Sequence, residues 1–165
     1  MKNNILFIFC ICSFVACTTP FKSFGEFSRN QLENSFHNSW FVENYNAHPL
    51  NKALVSQIDS LFDEIEVTIY MGTWCEDSRR EVPGFFKIID ALEANDQVQP
   101  IVGLNEDKVS HDGSAEQAGV TNVPTFVFSK DGQEINRIVE FPIISLEQDI
   151  FDILQDKGYK RAYDF

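Results

Sequence analysis

Residues 71–83, MGTWCEDSRREVP, contain a cysteine in a setting suited to thiol chemistry. Cys75 follows a tryptophan and stands at the start of a helical pattern. Unpaired backbone N–H groups and the helix dipole favour negative charge at such a position, and the thiolate is the form that attacks disulfides. Ser78 stands where a second thiol would complete a Cys-x-x-Cys pair, and we expect its hydroxyl to reach back to the sulfur.

The serine changes the reaction that this segment can perform. In a Cys-x-x-Cys site the second thiolate attacks the mixed disulfide and releases the reduced substrate, whereas a serine alkoxide is inaccessible near neutral pH. Cys75 can therefore form a mixed disulfide, but its release depends on an external thiol or on a neighbouring thiol of the substrate. This pattern predicts disulfide shuffling, removal of small thiol adducts or long-lived capture of partners, and it excludes autonomous dithiol reduction.

The other three of the four cysteines lie within the first seventeen residues, in a targeting segment. Lys2 precedes the apolar run 5–16, ILFIFCICSFVA, which has the length of a signal-peptide core and is short for a bilayer span. We expect residues 1–17 to be a signal peptide. The ending FVAC resembles a bacterial lipoprotein signal, which implies lipidation of Cys17; ordinary cleavage nearby would also export the protein. Either route leaves Cys75 as the reactive thiol of the mature domain.

Composition and charge exclude several other classes of function. The net charge of −12 disfavours a nucleic-acid partner, because binding to phosphates requires a basic surface. The three histidines are scattered, without cysteines or carboxylates at ligand spacing, so we predict no metal site and no cofactor. A hydrophobic fraction of 44% indicates a folded core rather than a disordered chain.

The hydrophobic pattern predicts an α/β domain over residues 51–165, preceded over 18–50 by a polar tether and one or two short helices. The predicted elements are a helix over 51–62, a strand over 66–71, a helix over 78–92, a strand over 98–104, a short helix over 115–118, a hairpin over 125–141 and a helix over 146–154. The strand–helix–strand unit implies a parallel pair, and the hairpin adds antiparallel strands. A mixed central sheet flanked by helices follows.

This element order, with Trp74-Cys75 at a strand-to-helix junction, resembles the thioredoxin family. Pro83 lies eight residues after Cys75, at the position of the proline that kinks the first active-site helix of the family. The segment 119–132, GVTNVPTFVFSKDG, is similar to the family's Gly-Val-x-x-x-Pro-Thr segment. Envelope-anchored relatives also carry Trp-Cys-x-Asp-Ser followed by Arg-Glu-Val-Pro. The resemblance covers roughly residues 51–154.

The resemblance implies a thioredoxin fold in which Pro124 is cis and faces the reactive cysteine. The Val123 backbone would then pair with an extended substrate strand. The implied binding surface around the sulfur consists of Trp74, Val123, Pro124 and Thr125. Family members with two cysteines carry a buried acid six residues before the first one; Ile69 stands there in this chain, so the second thiol and its proton acceptor are both missing.

These features predict a lipid-anchored, thioredoxin-like protein of the bacterial cell envelope that faces the periplasm or the exterior and reacts through Cys75 and Ser78. The expected partners are exported proteins or small thiols, held through mixed disulfides, together with a separate thiol donor. The lipid anchor supplies the contact with the membrane. The alternative is a non-enzymatic module that binds peptides in the groove beside Pro124, with Cys75 incidental.

Overall fold

The computed structural model describes residues 23–164, so the predicted signal peptide and Cys17 lie outside the described residues. The described chain contains five strands, six α-helices and one 3-10 turn. In chain order these are β1 (Gly25–Phe27), α1 (Arg29–Glu33), α2 (Asn38–Ala47), α3 (Lys52–Asp59), β2 (Ile65–Met71), α4 (Glu76–Ala91), the 3-10 turn (Asn95–Gln97), β3 (Val98–Gly103), α5 (Ser114–Gln117), β4 (Thr125–Lys130), β5 (Gln133–Val139) and α6 (Leu146–Leu154).

The five strands form one mixed sheet in the order β1-β3-β2-β4-β5. The central strand β2 is parallel to β3 and antiparallel to β4, while β4 and β5 form an antiparallel hairpin. Asp131 and Gly132 connect the hairpin with positive φ angles of 52° and 72°, as a type I′ turn requires. The mixed sheet, the parallel pair and the hairpin predicted by the sequence are therefore confirmed.

The core lies mainly on one face of the sheet, against α1–α4 and α6. Alternate residues of β2 and β4 point towards it because side chains in a strand alternate between the two faces. Its strand residues include Ile65, Val67, Ile69, Met71, Phe126 and Phe128. A second, smaller cluster on the opposite face contains Tyr70, Val102, Leu104, Ala115, Val120, Val123 and Val127. Helices therefore cover both faces, as predicted, with the short α5 on the thinner side.

The segment before residue 51 contains the short helices predicted for it, α1 and α2, and also a strand that was not predicted. Residues 25–27 form β1, which pairs antiparallel with β3, and Phe27 is buried there. Leu32 and Phe41, from α1 and α2, are buried in the same core as the sheet. The sequence did not predict this strand, because three residues are too few to show an alternating hydrophobic pattern. They form a strand because they pair with β3, which is distant in the sequence. The described part of this segment is thus integral to the folded domain.

None of the helices within residues 23–164 is both long and apolar enough to cross a membrane.

Candidate active site

Cys75 occupies the N-cap of α4, immediately after the turn that follows β2. Its backbone is extended, with φ −82° and ψ 128°, and its side chain makes no capping hydrogen bond. The thiol is half-buried, and it is the one cysteine within residues 23–164. The sulfur therefore lies at the amino-terminal end of a 16-residue helix.

The loop between α5 and β4, residues 118–124, faces this sulfur. We call it the cis-proline loop, because its last peptide bond, Val123–Pro124, is cis. The Cys75 thiol donates a hydrogen bond to the Val123 carbonyl oxygen, 3.2 Å away. The Val123–Pro124 peptide bond is cis, as the resemblance implied, and both residues are buried. The structure thus brings Cys75, Val123 and Pro124 together, although they are separated by almost fifty residues in the chain.

Trp74 forms the apolar wall beside the sulfur. Its indole Nε1 donates to the Leu104 carbonyl oxygen at 3.0 Å, and its ring packs with Cys75 against the smaller core cluster. The ring folds back over Gly72: a Cβ atom on Gly72 would lie only 2.5 Å from the Trp74 ring. A glycine is therefore required at this position for the indole to approach the backbone closely.

The position of Ser78 corrects the expectation that its hydroxyl reaches the sulfur. Ser78 is fully buried in the first turn of α4, and its Oγ accepts a hydrogen bond from the Gly72 amide at 3.2 Å. The partner of the Cys75 thiol is instead the Val123 carbonyl. The physical reason is that the turn before α4 directs the Gly72 N–H into the helix, and Ser78 supplies the acceptor that a buried amide requires. Ser78 therefore stabilises the turn.

Thr125 and Ile69 have structural positions next to the site. The Thr125 hydroxyl donates to the Asn122 carbonyl oxygen at 2.7 Å, so this predicted binding residue closes the cis-proline loop and is 1% exposed. Ile69 is fully buried in β2, so the position at which the resemblance implies a proton acceptor is apolar in this chain.

The charges around the sulfur are of both signs. Glu76 is exposed, and Asp77 accepts a 2.6 Å bond from the Arg80 guanidinium. Arg80 also bonds Glu81 at 2.6 Å, but burial dominates and raises the pKa of Glu81. Arg79 donates to the Thr73 carbonyl at 2.6 Å and thereby holds the turn before α4. Residues 23–164 contain no group of three or more potential ligands that could hold a metal ion.

Two residues at the edge of the site were missed by the sequence analysis. Glu140 follows β5, and its amide donates to the Pro124 carbonyl oxygen at 2.7 Å. The Tyr163 hydroxyl, from the segment after α6, donates to the Glu140 carboxylate. Neither residue belongs to a periodic pattern or motif, so the sequence contained no signal for this contact.

Comparisons with known proteins give two thioredoxins, although no protein-family model matches the chain. A thioredoxin from Chlamydia caviae is 33% identical over 70 residues, which cover 42% of this chain and 63%, just under two thirds, of that protein. A thioredoxin from Malassezia sympodialis is 35% identical over 78 residues, which cover 47% of this chain and 70% of that protein.

A solved structure supports the fold over a longer stretch. A protein of unknown function from Pseudomonas aeruginosa superimposes with a TM-score of 0.54, covering 73% of this chain and 84% of that one. At 11% identity this similarity concerns the fold alone. The sequence matches carry the family assignment, since the Malassezia thioredoxin is matched over more than two thirds of its length. The chain belongs to the thioredoxin-like family.

Proposed function

We propose that this protein is a monothiol member of the thioredoxin-like family that exchanges disulfides through Cys75. The observation that carries the proposal is the placement of one half-buried thiol at the N-cap of α4, 3.2 Å from the carbonyl of Val123 in the cis-proline loop. A structural cysteine would not require a position at a helix N-terminus beside a cis-proline loop whose backbone can pair with a substrate strand. The serine at position 78 supports the monothiol character, because its hydroxyl cannot resolve a mixed disulfide.

The proposed reaction has two exchange steps and no net oxidant. The Cys75 thiolate attacks one sulfur of a partner disulfide, so that a Cys75–sulfur bond forms, the partner's S–S bond breaks and the leaving thiolate takes a proton from solvent. A second thiolate, from the partner or from a separate small thiol, then attacks the mixed disulfide. That thiolate enters the new disulfide, and Cys75 returns to its reduced form. The outcome is disulfide shuffling or removal of a small thiol adduct.

We further propose that the protein is exported and lipid-anchored through Cys17 in the bacterial cell envelope. This part rests on the apolar run 5–16 and the FVAC ending. Incorporation of labelled palmitate into the full-length chain tests it. The label should disappear in Cys17→Ala and persist in Cys75→Ala, and equal labelling of both variants would contradict the anchor.

The exchange reaction is tested with a purified peptide disulfide. We expect the parent protein to form a mixed disulfide, seen by mass spectrometry as the added mass of one disulfide-linked peptide. Cys75→Ala should show no such adduct. Addition of a monothiol should release the peptide and restore the original mass. A parent protein that forms no adduct under these conditions would contradict the proposal.

Capture from native envelopes separates exchange from non-covalent binding. Partners retained under non-reducing, denaturing conditions by the parent and lost in Cys75→Ala support exchange. Partners recovered equally with both proteins under native conditions, with none held covalently, would instead indicate the peptide-binding module.

A further inference from the structure

The segment after α6, residues 159–164, returns along β5 towards the candidate active site; we call it the return segment. At its start, the Tyr159 hydroxyl donates to the Asp149 carboxylate at 2.8 Å, and the Tyr159 carbonyl accepts a 3.3 Å hydrogen bond from the Asn136 side chain. Asn136 belongs to β5 and Asp149 to α6. The return segment is therefore fixed beside the middle of β5 before it runs towards the cis-proline loop.

At the other end of the return segment, Tyr163 is linked through Glu140 to the cis-proline loop. Its hydroxyl donates to Glu140, whose amide is bonded to the Pro124 carbonyl. The bond to Glu140 raises the pKa of Tyr163, the nearby charge of Asp77 raises it further, and a contact with the Asn122 side chain lowers it. Asp77 comes from the Cys75 segment and Asn122 from the cis-proline loop. The two hydrogen bonds therefore place the phenol at the edge of the cis-proline loop, one residue from its contact with Pro124.

Few interactions fix the Tyr163 side chain in place. The Tyr163 side chain is 57% exposed, so little apolar surface is buried by keeping it in place. Beneath it lies a cavity of about 200 Å³, whose lining includes Thr125, Arg137 and Val139. An exposed side chain that is fixed mainly by a hydrogen bond can move at small cost in free energy.

We propose that Tyr163 is a specificity-determining residue that narrows the groove beside Cys75, so that an extended peptide pairs with Val123 only after the phenol has left Glu140. Small thiols and their adducts reach the sulfur without this movement. The inference deepens the proposed exchange reaction and rests on it for the identity of the substrates. It assigns the resting protein a preference for small thiol adducts over extended protein segments.

The test measures alkylation of Cys75 by a small reagent and by a peptide that carries the same reactive group. Alkylation does not require disulfide exchange. Iodoacetamide and an extended decapeptide bearing an iodoacetyl group react with Cys75 by the same chemistry. We compare their rates with the parent, Tyr163→Ala and Tyr163→Phe, the last of which removes only the hydroxyl and guards against misfolding of the alanine variant. Tyr45→Phe is the matched control, since it removes a 2.7 Å hydrogen bond from a tyrosine to Asp90 away from Cys75.

We expect both Tyr163 variants to raise the rate with the peptide reagent about twofold to tenfold, the range that one hydrogen bond sets, with iodoacetamide and Tyr45→Phe unchanged. An unchanged ratio of the two rates, an equal rise with both reagents, or a slower reaction with the peptide would each overturn the assignment. Failure of the exchange proposal is a separate result: alkylation would proceed while no mixed disulfide formed with a peptide disulfide.

Discussion

The hydroxyl oxygen of Ser78 lies 3.2 Å from the amide nitrogen of Gly72 and accepts its hydrogen bond. The residue in the position of a resolving cysteine thus holds the turn that carries Trp74 and Cys75. The same bond explains how a serine at this position can serve the fold while the sulfur faces the cis-proline loop. Substitutions at Ser78 can therefore separate a structural effect from a chemical one.

Ser78→Cys is expected to form a disulfide with Cys75 and to give weak disulfide reductase activity. The new thiol can resolve the mixed disulfide, but Ile69 supplies no proton acceptor, so turnover should be slow. The measurement is dithiol-driven reduction of a peptide disulfide. Ser78→Ala is the control: it should cost about 1–3 kcal/mol in the free energy of unfolding, because the Gly72 amide loses its acceptor, and it should still form mixed disulfides. Complete inactivity of Ser78→Cys would contradict a groove shaped for exchange.

Gly72→Ala should displace the Trp74 ring. The added Cβ would lie 2.5 Å from the indole, so the ring must move and its 3.0 Å bond to Leu104 must lengthen or break. We expect a loss of about 1–3 kcal/mol in unfolding free energy and a red-shifted Trp74 emission. Trp40→Phe provides the background that isolates the Trp74 signal. Unchanged emission from the alanine variant would show that the indole does not need the glycine.

Arg29→Lys should destabilise the whole domain in one cooperative transition. Two guanidinium nitrogens of Arg29 contact the two carboxylate oxygens of Asp90 at 2.5 and 2.8 Å, and the guanidinium lies 4.7 Å from the Phe86 ring centroid. Lysine keeps the charge but not the two-pronged contact, so we expect a loss of about 2 kcal/mol in urea unfolding. Arg161→Lys, in a surface pair, serves as the control. A separate early transition would contradict an α1 that is integral to the core.

Glu147→Gln should flatten the dependence of stability on acidic pH. Burial opposes ionisation of Glu147, but hydrogen bonds from His48 and the Asn51 amide outweigh it and lower the pKa to about 2. A lowered folded-state pKa gives stability that is present above the unfolded value of 4.5 and is lost as the pH falls towards 2. The contribution is about 3 kcal/mol. Unfolding measured from pH 6 to pH 2, with exposed Glu66→Gln as control, checks it; parallel curves for parent and Glu147→Gln would refute it.

Most of the fold after residue 51 was predictable, because the hydrophobic residues of its helices and strands recur at the spacing typical of each element. The helix over 146–154 has the predicted bounds, and β4 begins at the predicted residue 125. Cys75 and Pro124 were found because each lies in a recognisable local motif. Their contact across the sheet follows from the fold, which the resemblance supplied.

The remaining features depend on contacts between distant residues. Strand β1 exists because β3 offers it a pairing edge, and Tyr163 meets Glu140 because the chain returns along β5. The hydrogen bond of Ser78 could not be foreseen, because the direction of the Gly72 amide is a property of the turn rather than of residue type. Sequence periodicity contains no information on any of the three.

The pairing of β1 with β3 would also set the reach of the proposed lipid anchor. Gly25 lies opposite Gly103, which in turn lies opposite Met71, so the chain enters the domain at the end of the sheet from which β2 leads to Cys75. From residue 17 to residue 23 a fully extended backbone spans about 20 Å. In a chain acylated at Cys17, as proposed, the end of the sheet that leads to Cys75 would therefore be held near the bilayer surface, which would favour partners that lie close to the membrane.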